Sequence, residues 1–357
     1  MLPGRDVFLA ICFRSEKIGL LIMLTVAFAT RNRAEQLAIV MEAFAGLVSP
    51  PGGWKLVVAD NGSTDGTQAL LKQYRERLPL ETLFEPRAGK NTALNRAIAS
   101  FEGDLVVLTD DDVLPEPDWL LRLEAAAEAH PEASLFGGTI LPSWPEALPP
   151  WLDEAAVDFG MLFALVSRQS GPCDFRVIFG PNMAVRRTVF ARGHRFDESI
   201  GPDGKNPRSA MGSETEFNRR LADAGHRAYF VADARVRHII RPEQFEETWI
   251  LNRAFRNGLG TARTNPPALT RGTPITAGQS WQLLARVTVF RLAARAAARL
   301  PPSSSRLRLM FKDRWFAGLA EGMRLRALEL EAATRGSRSG TTGPTLPAPT
   351  PGGLGRS

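Results

Sequence analysis

The sequence predicts an α/β fold in which a mostly parallel sheet is flanked by helices and followed by a C-terminal helical extension. Three continuous apolar runs are typical of buried strands, and they occupy residues 24–30, 54–59 and 104–109. Helical spacing of apolar residues follows these runs over residues 34–47, 65–78, 90–100 and 119–130. Because strands that alternate with helices of about ten or more residues form βαβ units, a parallel sheet is expected.

The second half of the main domain shows a weaker version of the same pattern. A segment rich in Pro and Trp, residues 141–151, is expected to be a loop that crosses from the first half to the second. Beyond it the sequence predicts a strand pair over 175–186, a helix over 213–224, a strand over 228–236 and a helix over 245–257. We therefore expect one domain over residues 23–260, with a first half over 23–140 and a second half over 141–260.

Both ends of the chain differ in composition from this domain. Residues 1–22 carry several charges and lack both a long apolar core and a small-residue cleavage site, so neither a signal peptide nor a membrane span is predicted. We expect an appendage there, and Met23, directly before the first strand, is an alternative start. Residues 336–357 consist largely of Gly, Ser, Thr and Pro and are expected to be a disordered tail.

Charge is distributed unevenly along the 357 residues, whose formal net charge is +6. From Trp281 onward there are 13 Lys or Arg and 4 Asp or Glu, a net charge of +9, which leaves −3 for the preceding part. A mildly acidic main domain suits a divalent-cation site, and a basic C-terminal region suits an anionic lipid surface or another polyanion. Cys12 and Cys173 are too few for a disulfide framework, which indicates a reducing, cytoplasmic environment.

The extension over residues 261–335 is predicted to contain two basic amphipathic helices, at 281–300 and 307–328. In the first of them Arg291, Arg295 and Arg299 recur every four residues and form one stripe on a largely apolar helix. Arginines at this density argue against a membrane span and favour a helix that lies on the inner surface of the membrane. A helical pair packed on the main domain is the alternative.

Three consecutive carboxylates, Asp110, Asp111 and Asp112, follow directly after a buried strand. Like charges this close stay ionised together only when a cation or several hydrogen-bond donors lie nearby. Carboxylate oxygens are preferred ligands of Mg²⁺ and Mn²⁺, which also retain open positions for phosphate oxygens. The triplet is therefore a candidate metal site, and an exposed acidic turn is the alternative for the same three residues.

Polar residues also follow the two other predicted strands, at Thr30–Arg33 and at Asp60–Asp65. Ligands of parallel α/β sheets bind beyond the carboxyl ends of the strands, so these residues and the aspartate triplet are expected to share one site. The segment Arg87–Asn95 begins a helix with cations, and its free N–H groups would attract an anion. Ordinary strand–turn–helix connections and a solvated basic turn are the alternatives for these segments.

Taken together, these motifs resemble the family-2 glycosyltransferases of the GT-A fold. The family pattern is T-x-N-R after a strand, D-N-x-S-x-D after the next, then G-x-x-x-A-x-N, and D-x-D at a strand end. Here it corresponds, in the same order, to Thr30–Arg33, Asp60–Asp65, Gly89–Asn95 and Asp110–Asp112. The resemblance covers residues 24–260 and implies a GT-A type, Rossmann-like nucleotide-binding fold.

The resemblance also implies roles for the first-half residues in binding a nucleotide-sugar donor. Asp60 would contact the base or ribose, Asp110 the ribose or the metal's water shell, and Asp112 the Mg²⁺ or Mn²⁺ that bridges the diphosphate. The other donor-binding candidates are Thr30, Asn32, Arg33, Lys90, Asn95 and Asp111. A metal bound in this way would stabilise the leaving nucleoside diphosphate as a Lewis acid.

The second half extends the resemblance to the acceptor side. Asn182 lies in a segment similar to the family strand that lines this side, and Gly212–Phe217 stands where the family has G-E-D-x-E. Glu214 occupies the position of the catalytic base, which is Asp in the family, and Glu216 is a possible substitute. The same stretch also fits a helix start with Ser213 as its cap and Glu216 as the capping-box partner.

Three further basic residues of the second half are candidates for the metal and the phosphates. His238 follows a predicted strand where the family often has a histidine that reaches the metal or diphosphate; a structural histidine is the alternative. Arg253 and Arg256 are phosphate-binding candidates, and solvent-exposed helix arginines are the alternative for both.

The implied function is transfer of one sugar from a nucleoside-diphosphate sugar to a hydroxyl of a glycan or lipid-linked acceptor, by inverting displacement. Processive relatives carry Q-x-x-R-W and several membrane spans, whereas residues 252–257 here contain no Trp and no span is predicted. A sugar nucleotidyltransferase of related fold is one alternative, although the glycines of its first loop are missing. A non-catalytic binding protein at a membrane surface is the other. No nucleic-acid motif is present, so nucleic acid is not an expected partner.

Overall fold

The computed structural model describes residues 22–202, 209–264 and 277–339. Within these residues a nine-stranded sheet has the order β3-β2-β1-β4-β8-β6-β9-β5, and β7 pairs with β9 beside this path. Helices cover the sheet on both faces, and two long helices follow it in the chain. The predicted N-terminal appendage, apart from Ile22, and the tail beyond Ser339 lie outside the described residues.

The first half of the sheet is parallel. Its strands are β1 (Leu24–Thr30), β2 (Trp54–Asp60), β3 (Leu80–Phe84) and β4 (Leu105–Leu108). Helices α1 (Ala34–Ala45), α2 (Thr67–Tyr74) and α3 (Lys90–Ala99) connect them in turn. In β1, Val26 and Phe28 pack on one side of the sheet and Ala27 on the other, because successive side chains of a strand alternate. Burial on both faces explains why these strands are continuous apolar runs.

The second half joins the first through an antiparallel pair, β4 with β8. Its strands are β5 (Val113–Pro115), β6 (Leu135–Ser143), β7 (Gly171–Pro172), β8 (Met183–Arg186) and β9 (Ala228–Ile239). Strands β6 and β9 are parallel, while β8 with β6 and β5 with β9 are antiparallel. The predicted mostly parallel sheet is confirmed, because the parallel ladders are the longer ones.

The helices of this half lie around the same sheet. They are α4 (Trp119–Ala129), α5 (Phe159–Phe163), α6 (Arg187–Ala191), α7 (Ser213–Asp223) and α8 (Glu247–Thr264). Phe217 of α7 stacks on Phe196 and Phe190 on one face of the sheet, with ring centroids 4.4 and 5.9 Å apart. The fully buried Trp119 of α4 closes the other face. Both faces are thus sealed, and the ends of the strands remain for a ligand.

One secondary-structure prediction was wrong. Residues 175–186 were expected to form a strand pair, but they form 3₁₀ turns at Phe175–Val177 and Gly180–Asn182 followed by the single strand β8. The Asp174 side chain accepts a hydrogen bond from the Arg176 N–H and so starts the first turn. Pro181 has no N–H to donate to a ladder, which favours the second turn.

The last two helices are α9 (Ala277–Ala297) and α10 (Ser304–Ser339), and α10 packs along α8. Glycines permit this contact: a Cβ on Gly258 would lie 2.0 Å from the Trp315 carbonyl oxygen, and one on Gly318 would lie 2.0 Å from that of Phe255. Leu307 is 1% exposed in the same contact. The second predicted amphipathic helix is therefore packed on the main domain.

Helix α9 packs on α10, where Phe290 stacks on Phe316 with ring centroids 5.1 Å apart. Three apolar side chains on its other side, Leu284, Val289 and Leu292, are each more than half exposed. No helix in the described part of the chain has an apolar stretch long enough to cross a membrane. Helix α8 continues to Thr264, past the predicted boundary at residue 260, and α10 continues to Ser339, past the predicted start of the tail at Gly336.

Candidate active site

A cavity of about 420 Å³ opens at the carboxyl ends of β1 and β4 and is closed on the far side by α7 and α8. This is the edge at which parallel α/β sheets bind ligands. Ten of the residues predicted for the site line this cavity: Thr30, Arg33, Lys90, Asp110, Asp111, Asp112, Glu214, His238, Arg253 and Arg256. Residues more than 200 positions apart in the sequence therefore meet at one place, as the motif spacing predicted.

The three aspartates of the triplet have different partners. Asp111 accepts a hydrogen bond from the Thr30 hydroxyl at 2.7 Å, and Asp110 pairs with the Lys90 ammonium at 2.5 Å. Burial, reinforced by the negative charge of Asp112, raises the pKa of Asp111. Three carboxylates this close together repel one another, which favours a cation beside the triplet.

Asp112 lies deepest in the triplet and faces two cationic groups of the second half. His238 Nε2 lies 3.4 Å from one of its oxygens, and Arg241 Nη1 lies 3.5 Å from the other. Burial opposes ionisation of Asp112, but the hydrogen bond and charge of His238, with the charges of Lys90 and Arg33, outweigh it and lower the pKa. Asp112 is therefore held as a carboxylate.

His238 has a defined orientation. Its Nδ1–H donates to the carbonyl oxygen of Phe163 at 2.7 Å, which directs Nε2 toward Asp112. Burial would lower the pKa of His238, but the hydrogen bond and charge of Asp112 raise it above its usual range. A histidine held at Nδ1 by a carbonyl, with Nε2 directed into a site, is the arrangement common among metal-binding histidines.

Lys90 connects the two walls of the cavity. Although burial opposes its charge, the carboxylates of Asp110, Glu214 and Asp112 raise the pKa of Lys90, so the ammonium stays charged. Its helix, α3, was expected to present free N–H groups to an anion, and two N–H groups at its start are already bonded within the protein. The Gly89 N–H donates to Asn61 Oδ1 at 2.9 Å and the Lys90 N–H to the Pro202 carbonyl at 2.9 Å. Arg87 is likewise paired with Glu85 at 2.9 Å.

Glu214 begins the first turn of α7 and reaches the cavity between Ser213 and the Gly180 turn. A Cβ on Gly180 would lie 2.5 Å from the Glu214 carboxylate, so glycine is required at 180 for the carboxylate to lie where it does. The Ser213 hydroxyl donates to Asn91 Oδ1 at 2.7 Å and does not cap the helix. The predicted Ser213–Glu216 capping box is therefore not formed, and the start of α7 is left to position Glu214.

Helix α8 contributes Arg253 and Arg256 to the far wall. Burial, together with the neighbouring charge of Arg256, lowers the pKa of Arg253 to about 10. Its Nε has no hydrogen-bond partner among the described residues, whereas Arg256 Nε donates to the Ser209 carbonyl at 3.0 Å. A buried guanidinium with an unused N–H is ready to bind an oxyanion.

The cavity as a whole carries an excess of fixed positive charge. Its walls include six Lys or Arg side chains and four carboxylates, apart from His238. The cations are Arg31, Arg33, Lys90, Arg241, Arg253 and Arg256. A small anion such as a diphosphate would be attracted to this site, and most strongly so with a divalent cation on the acidic wall.

Besides Asp60, four predicted site residues lie outside the cavity and make contacts within the protein. Asn32 has a left-handed φ of 51° and accepts the Thr64 N–H at 2.8 Å, which fixes the turn after β1. Asn95 donates to the Phe196 carbonyl at 2.9 Å. Asn182 is fully buried, and Glu216 is paired with Arg220 at 2.6 Å. These side chains do not face the cavity, and their hydrogen bonds stabilise the segments that form its walls.

Asp60 borders a neighbouring recess of about 460 Å³ at the ends of β2 and β3. It is 3% exposed, and its oxygens accept the Ser63 N–H at 2.9 Å and the Gln68 amide at 2.8 Å. Asn61, the next residue, lines the main cavity. The recess and the cavity are therefore lined by neighbouring residues at the end of β2, and Asp60 lies on the recess side.

The sequence reasoning missed several residues of the site, of which Arg241 is the most informative. Arg241 lies close to Asp112, and its Nη1 is buried without a hydrogen-bond partner among the described residues. Gln244 and Trp249 line the same wall. The position of Arg241 in the sequence could have identified it, because Arg241 lies two residues after the end of β9, the strand that carries His238 near its end.

The residues present fit a divalent cation bound jointly by protein and ligand. Within the described residues, no three His, Cys, Asp or Glu side chains already converge as a complete metal cage. Asp112 and His238 do offer one carboxylate and one directed imidazole to the same point. Mg²⁺ and Mn²⁺ commonly take few protein ligands and complete their shell with phosphate oxygens and water. Two protein ligands beside a cationic wall meet that requirement.

Comparison with known proteins agrees with this geometry. Residues 25–193 match the family model described as glycosyl transferase family 2. These residues belong to glycosyltransferase family 2. The matched range includes the aspartate triplet, Lys90 and the Gly180 turn, while Glu214, His238 and α8 lie beyond it. The family-2 assignment that the motifs suggested is therefore confirmed.

Two curated relatives resemble this chain over parts of its length. The glucosyl-dolichyl phosphate glucuronosyltransferase of Haloferax volcanii is 30% identical over 159 residues, which are 44% of this chain and 49% of the relative. The chain thus spans about half the length of that relative. The succinoglycan biosynthesis protein ExoM of Rhizobium meliloti is 26% identical over 230 residues, which are 63% of this chain and 70% of the relative.

A solved structure confirms the fold. The mannosyltransferase PcManGT from Pyrobaculum calidifontis, solved in complex with GDP-Man and Mn²⁺, superposes with a TM-score of 0.53 at 20% identity. The superposition covers 84% of this chain and 86% of PcManGT. This chain therefore has the GT-A fold that the motifs predicted.

Proposed function

We propose that the protein transfers a single sugar from a nucleoside-diphosphate sugar to an acceptor hydroxyl, with inversion at the anomeric carbon. The observation that carries the proposal is that the aspartate triplet, His238 and Glu214 meet in one cavity. Family-2 membership supports the same reaction class. No separate nucleophile is needed, because an acceptor hydroxyl activated by one base can displace the leaving group directly.

The donor's diphosphate is proposed to lie between the acidic and the basic walls of the cavity. Arg253 and Arg241 each have a buried N–H without a hydrogen-bond partner in the described structure, and both would donate to phosphate oxygens. The nucleoside would extend from Asn61 toward the recess that Asp60 borders, where Asp60 keeps lone pairs for a ribose or base. Thr30 and Lys90 hold Asp111 and Asp110 in place beneath it.

Asp112 and His238 are the proposed ligands of an Mg²⁺ or Mn²⁺ ion. Such an ion, when bound, supplies Lewis-acid stabilisation of the leaving nucleoside diphosphate. The chain's own part is to keep Asp112 ionised and His238 directed by the Phe163 carbonyl. PcManGT is solved with GDP-Man and Mn²⁺, which supports a divalent metal here as well.

Glu214 is the proposed catalytic base. Among the described residues of the second half it is the one carboxylate that lines the cavity, and Glu216 is paired with Arg220 on the same helix. Its place against Gly180 fixes the direction from which an acceptor hydroxyl would give up its proton. Glutamate stands where the family pattern has aspartate, so the acceptor is expected about one methylene further from the α7 backbone.

The acceptor is proposed to be a glycan or a lipid-linked sugar. The first relative is a glucosyl-dolichyl phosphate glucuronosyltransferase, and the second is a succinoglycan biosynthesis protein, which together support this class. We further propose that α9 contacts an anionic membrane surface, because exposed Leu and Val side chains lie on its outer side together with Arg295, and the exposed Arg299 follows in the next turn.

The test is release of nucleoside diphosphate from a panel of nucleotide-sugars, measured on the full chain with Mn²⁺. One or two donors should be hydrolysed slowly to water and faster with an added glycan or lipid-linked acceptor. Asp112→Ala should lower this rate by at least about 100-fold, the scale expected for a group that stabilises developing charge. Asp118→Asn is the matched control, since Asp118 pairs with Arg122 at the surface.

Three outcomes would contradict the proposal. The first is that no donor of the panel is cleaved. The second is pyrophosphate release from a nucleoside triphosphate and a sugar phosphate, which would indicate a nucleotidyltransferase. The third is equal activity of Asp112→Ala and Asp118→Asn, which would remove the triplet from the reaction.

A further inference from the structure

A second cleft lies on the far side of α5 and α8 from the cavity, between the loop before α5 and the helices α9 and α10. Its volume is about 600 Å³, within the roughly 300–1,000 Å³ typical of small-ligand sites. The floor is aromatic and aliphatic: Phe290, Phe311, Trp315 and Phe316 face Val157 and Met161. This floor suits an apolar chain, whose burial would be favourable.

The rim of the same cleft is basic. Arg286, Arg308 and Lys312 line it, and all three are exposed. None of them has a carboxylate partner among the described residues, and the Lys312 ammonium instead lies 5.5 Å from the centre of the Phe290 ring. The acidic residues at the rim are Glu154 and Asp158, and Asp158 already accepts the Gly160 N–H at 2.8 Å. Three unpaired cations above an apolar floor match an anionic head on an apolar chain.

The cleft and the cavity share their dividing elements. Met161 of α5 lines the cleft, while Phe163 of the same helix stacks on Trp249 in the cavity wall and accepts the His238 N–H. Helix α8 carries Arg253 in the cavity, and its Asn257 accepts a hydrogen bond from Trp315, which lines the cleft, at 3.0 Å. Since a helix with its side chains is about 10 Å thick, the two spaces are about one helix apart.

We propose that this cleft binds a lipid phosphate, with the apolar chain on the aromatic floor and the phosphate between Arg308, Lys312 and Arg286. Its use in presenting a lipid-linked acceptor rests on the proposed transfer reaction, whereas lipid phosphate binding itself does not. The outer side of α9 and the cleft then have separate roles. The former meets the membrane surface, and the latter takes one lipid molecule.

The experiment measures binding of dodecyl phosphate to the full chain by calorimetry, below the micelle concentration and without donor or metal. Dodecanol and inorganic phosphate are the probes for the chain and the charge alone, and both should bind much more weakly. Because each buried methylene contributes about 0.8 kcal/mol, removing two methylenes should weaken binding by about ten-fold. Arg308→Ala with Lys312→Ala should weaken binding at least about ten-fold, since two charge-assisted contacts are lost.

Arg295→Ala with Arg299→Ala is the matched control, because Arg295 lies on α9 and Arg299 in the turn that follows it, and neither lines the cleft. It should leave dodecyl phosphate binding within about two-fold while lowering binding to anionic vesicles. Equal weakening by both double variants, equal binding of inorganic phosphate or dodecanol, or no binding of dodecyl phosphate would each overturn the proposal. Nucleotide-sugar hydrolysis to water should be unchanged in Arg308→Ala with Lys312→Ala, because neither residue lines the cavity. If the proposed function is wrong, the hydrolysis assay fails while dodecyl phosphate binding is unaffected.

Discussion

Replacement of Glu214 by glutamine separates the two carboxylates that α7 offers as the base. Glutamine has the same shape as glutamate, so it fits in the same place against Gly180. The space there is tight, since a Cβ on Gly180 would lie 2.5 Å from the Glu214 carboxylate. The amide cannot accept the proton of an acceptor hydroxyl, and removal of a general base costs about 10²–10⁴ in rate. At about 1.4 kcal/mol for each factor of ten, this is about 3–5 kcal/mol of transition-state stabilisation.

The assay is kcat at saturating donor and acceptor, with donor affinity measured separately by calorimetry. Glu214→Gln should lose at least about 100-fold in kcat while the donor Kd changes less than about three-fold, because the base acts only on the acceptor. Glu216→Gln is the control: it breaks the 2.6 Å pair with Arg220 and should lower the melting temperature while kcat stays within about three-fold. A larger loss of kcat in Glu216→Gln than in Glu214→Gln would refute the assignment.

Three further predictions concern other parts of the molecule. Gly258→Ala should lower the unfolding free energy by about 2 kcal/mol or more in denaturant titrations, because its Cβ would meet an α10 carbonyl at 2.0 Å, whereas Gly46→Ala, with 3.5 Å of space, should be nearly neutral. Arg241→Ala should raise the KM for the donor about ten-fold without changing the melting temperature, and an unchanged KM would exclude it from diphosphate binding. Burial raises the pKa of Cys173 to about 11, so with the other cysteine replaced its alkylation rate should rise about ten-fold per pH unit from pH ~7.5 to ~9.5. A rate that levels off as the pH rises above ~8.5, as for a free thiol, would contradict that burial.

The sequence sufficed for the fold and for the half of the site that lies at strand ends. Strands β1, β2 and β4 are buried on both faces, so each is a continuous apolar run that stops where the polar residues begin. Once the strands are parallel, their ends must share one edge of the sheet. The meeting of Thr30 with Asp111 and of Lys90 with Asp110 follows from that rule.

The sequence did not suffice where local chemistry competes with the pattern. Strand β6 was missed because Gly137, Gly138 and Pro142 interrupt it. Glycine is required at 138 because a Cβ there would lie 2.2 Å from the Ala234 carbonyl oxygen and 2.4 Å from the Asn182 amide nitrogen. The strand pair over 175–186 was predicted from the apolar residues in that segment, but Asp174 and Pro181 favour 3₁₀ turns there.

Side-chain direction was the other limit. Asn182 carries the family motif but donates to the Thr139 and Ala234 carbonyls at 3.0 and 2.8 Å, which satisfies it inside the protein. Glu216 lies two positions after Glu214 on the same helix, so its side chain points in another direction and Glu214 is the carboxylate that faces the cavity. Arg241 was missed because an arginine after a strand looks like any loop arginine until its neighbour Asp112 is placed.

The most direct test of the metal–diphosphate site is the melting temperature of the full chain with nucleoside diphosphates and Mn²⁺. A ligand at about 100 times its Kd stabilises the folded state by about 2.7 kcal/mol, so at least one nucleoside diphosphate with Mn²⁺ should raise the melting temperature by several degrees. EDTA should abolish the increase, and so should Asp112→Ala, while Asp118→Asn should retain it. The same increase with and without Mn²⁺, or in Asp112→Ala, would contradict the proposal that Asp112 binds the donor through a divalent cation.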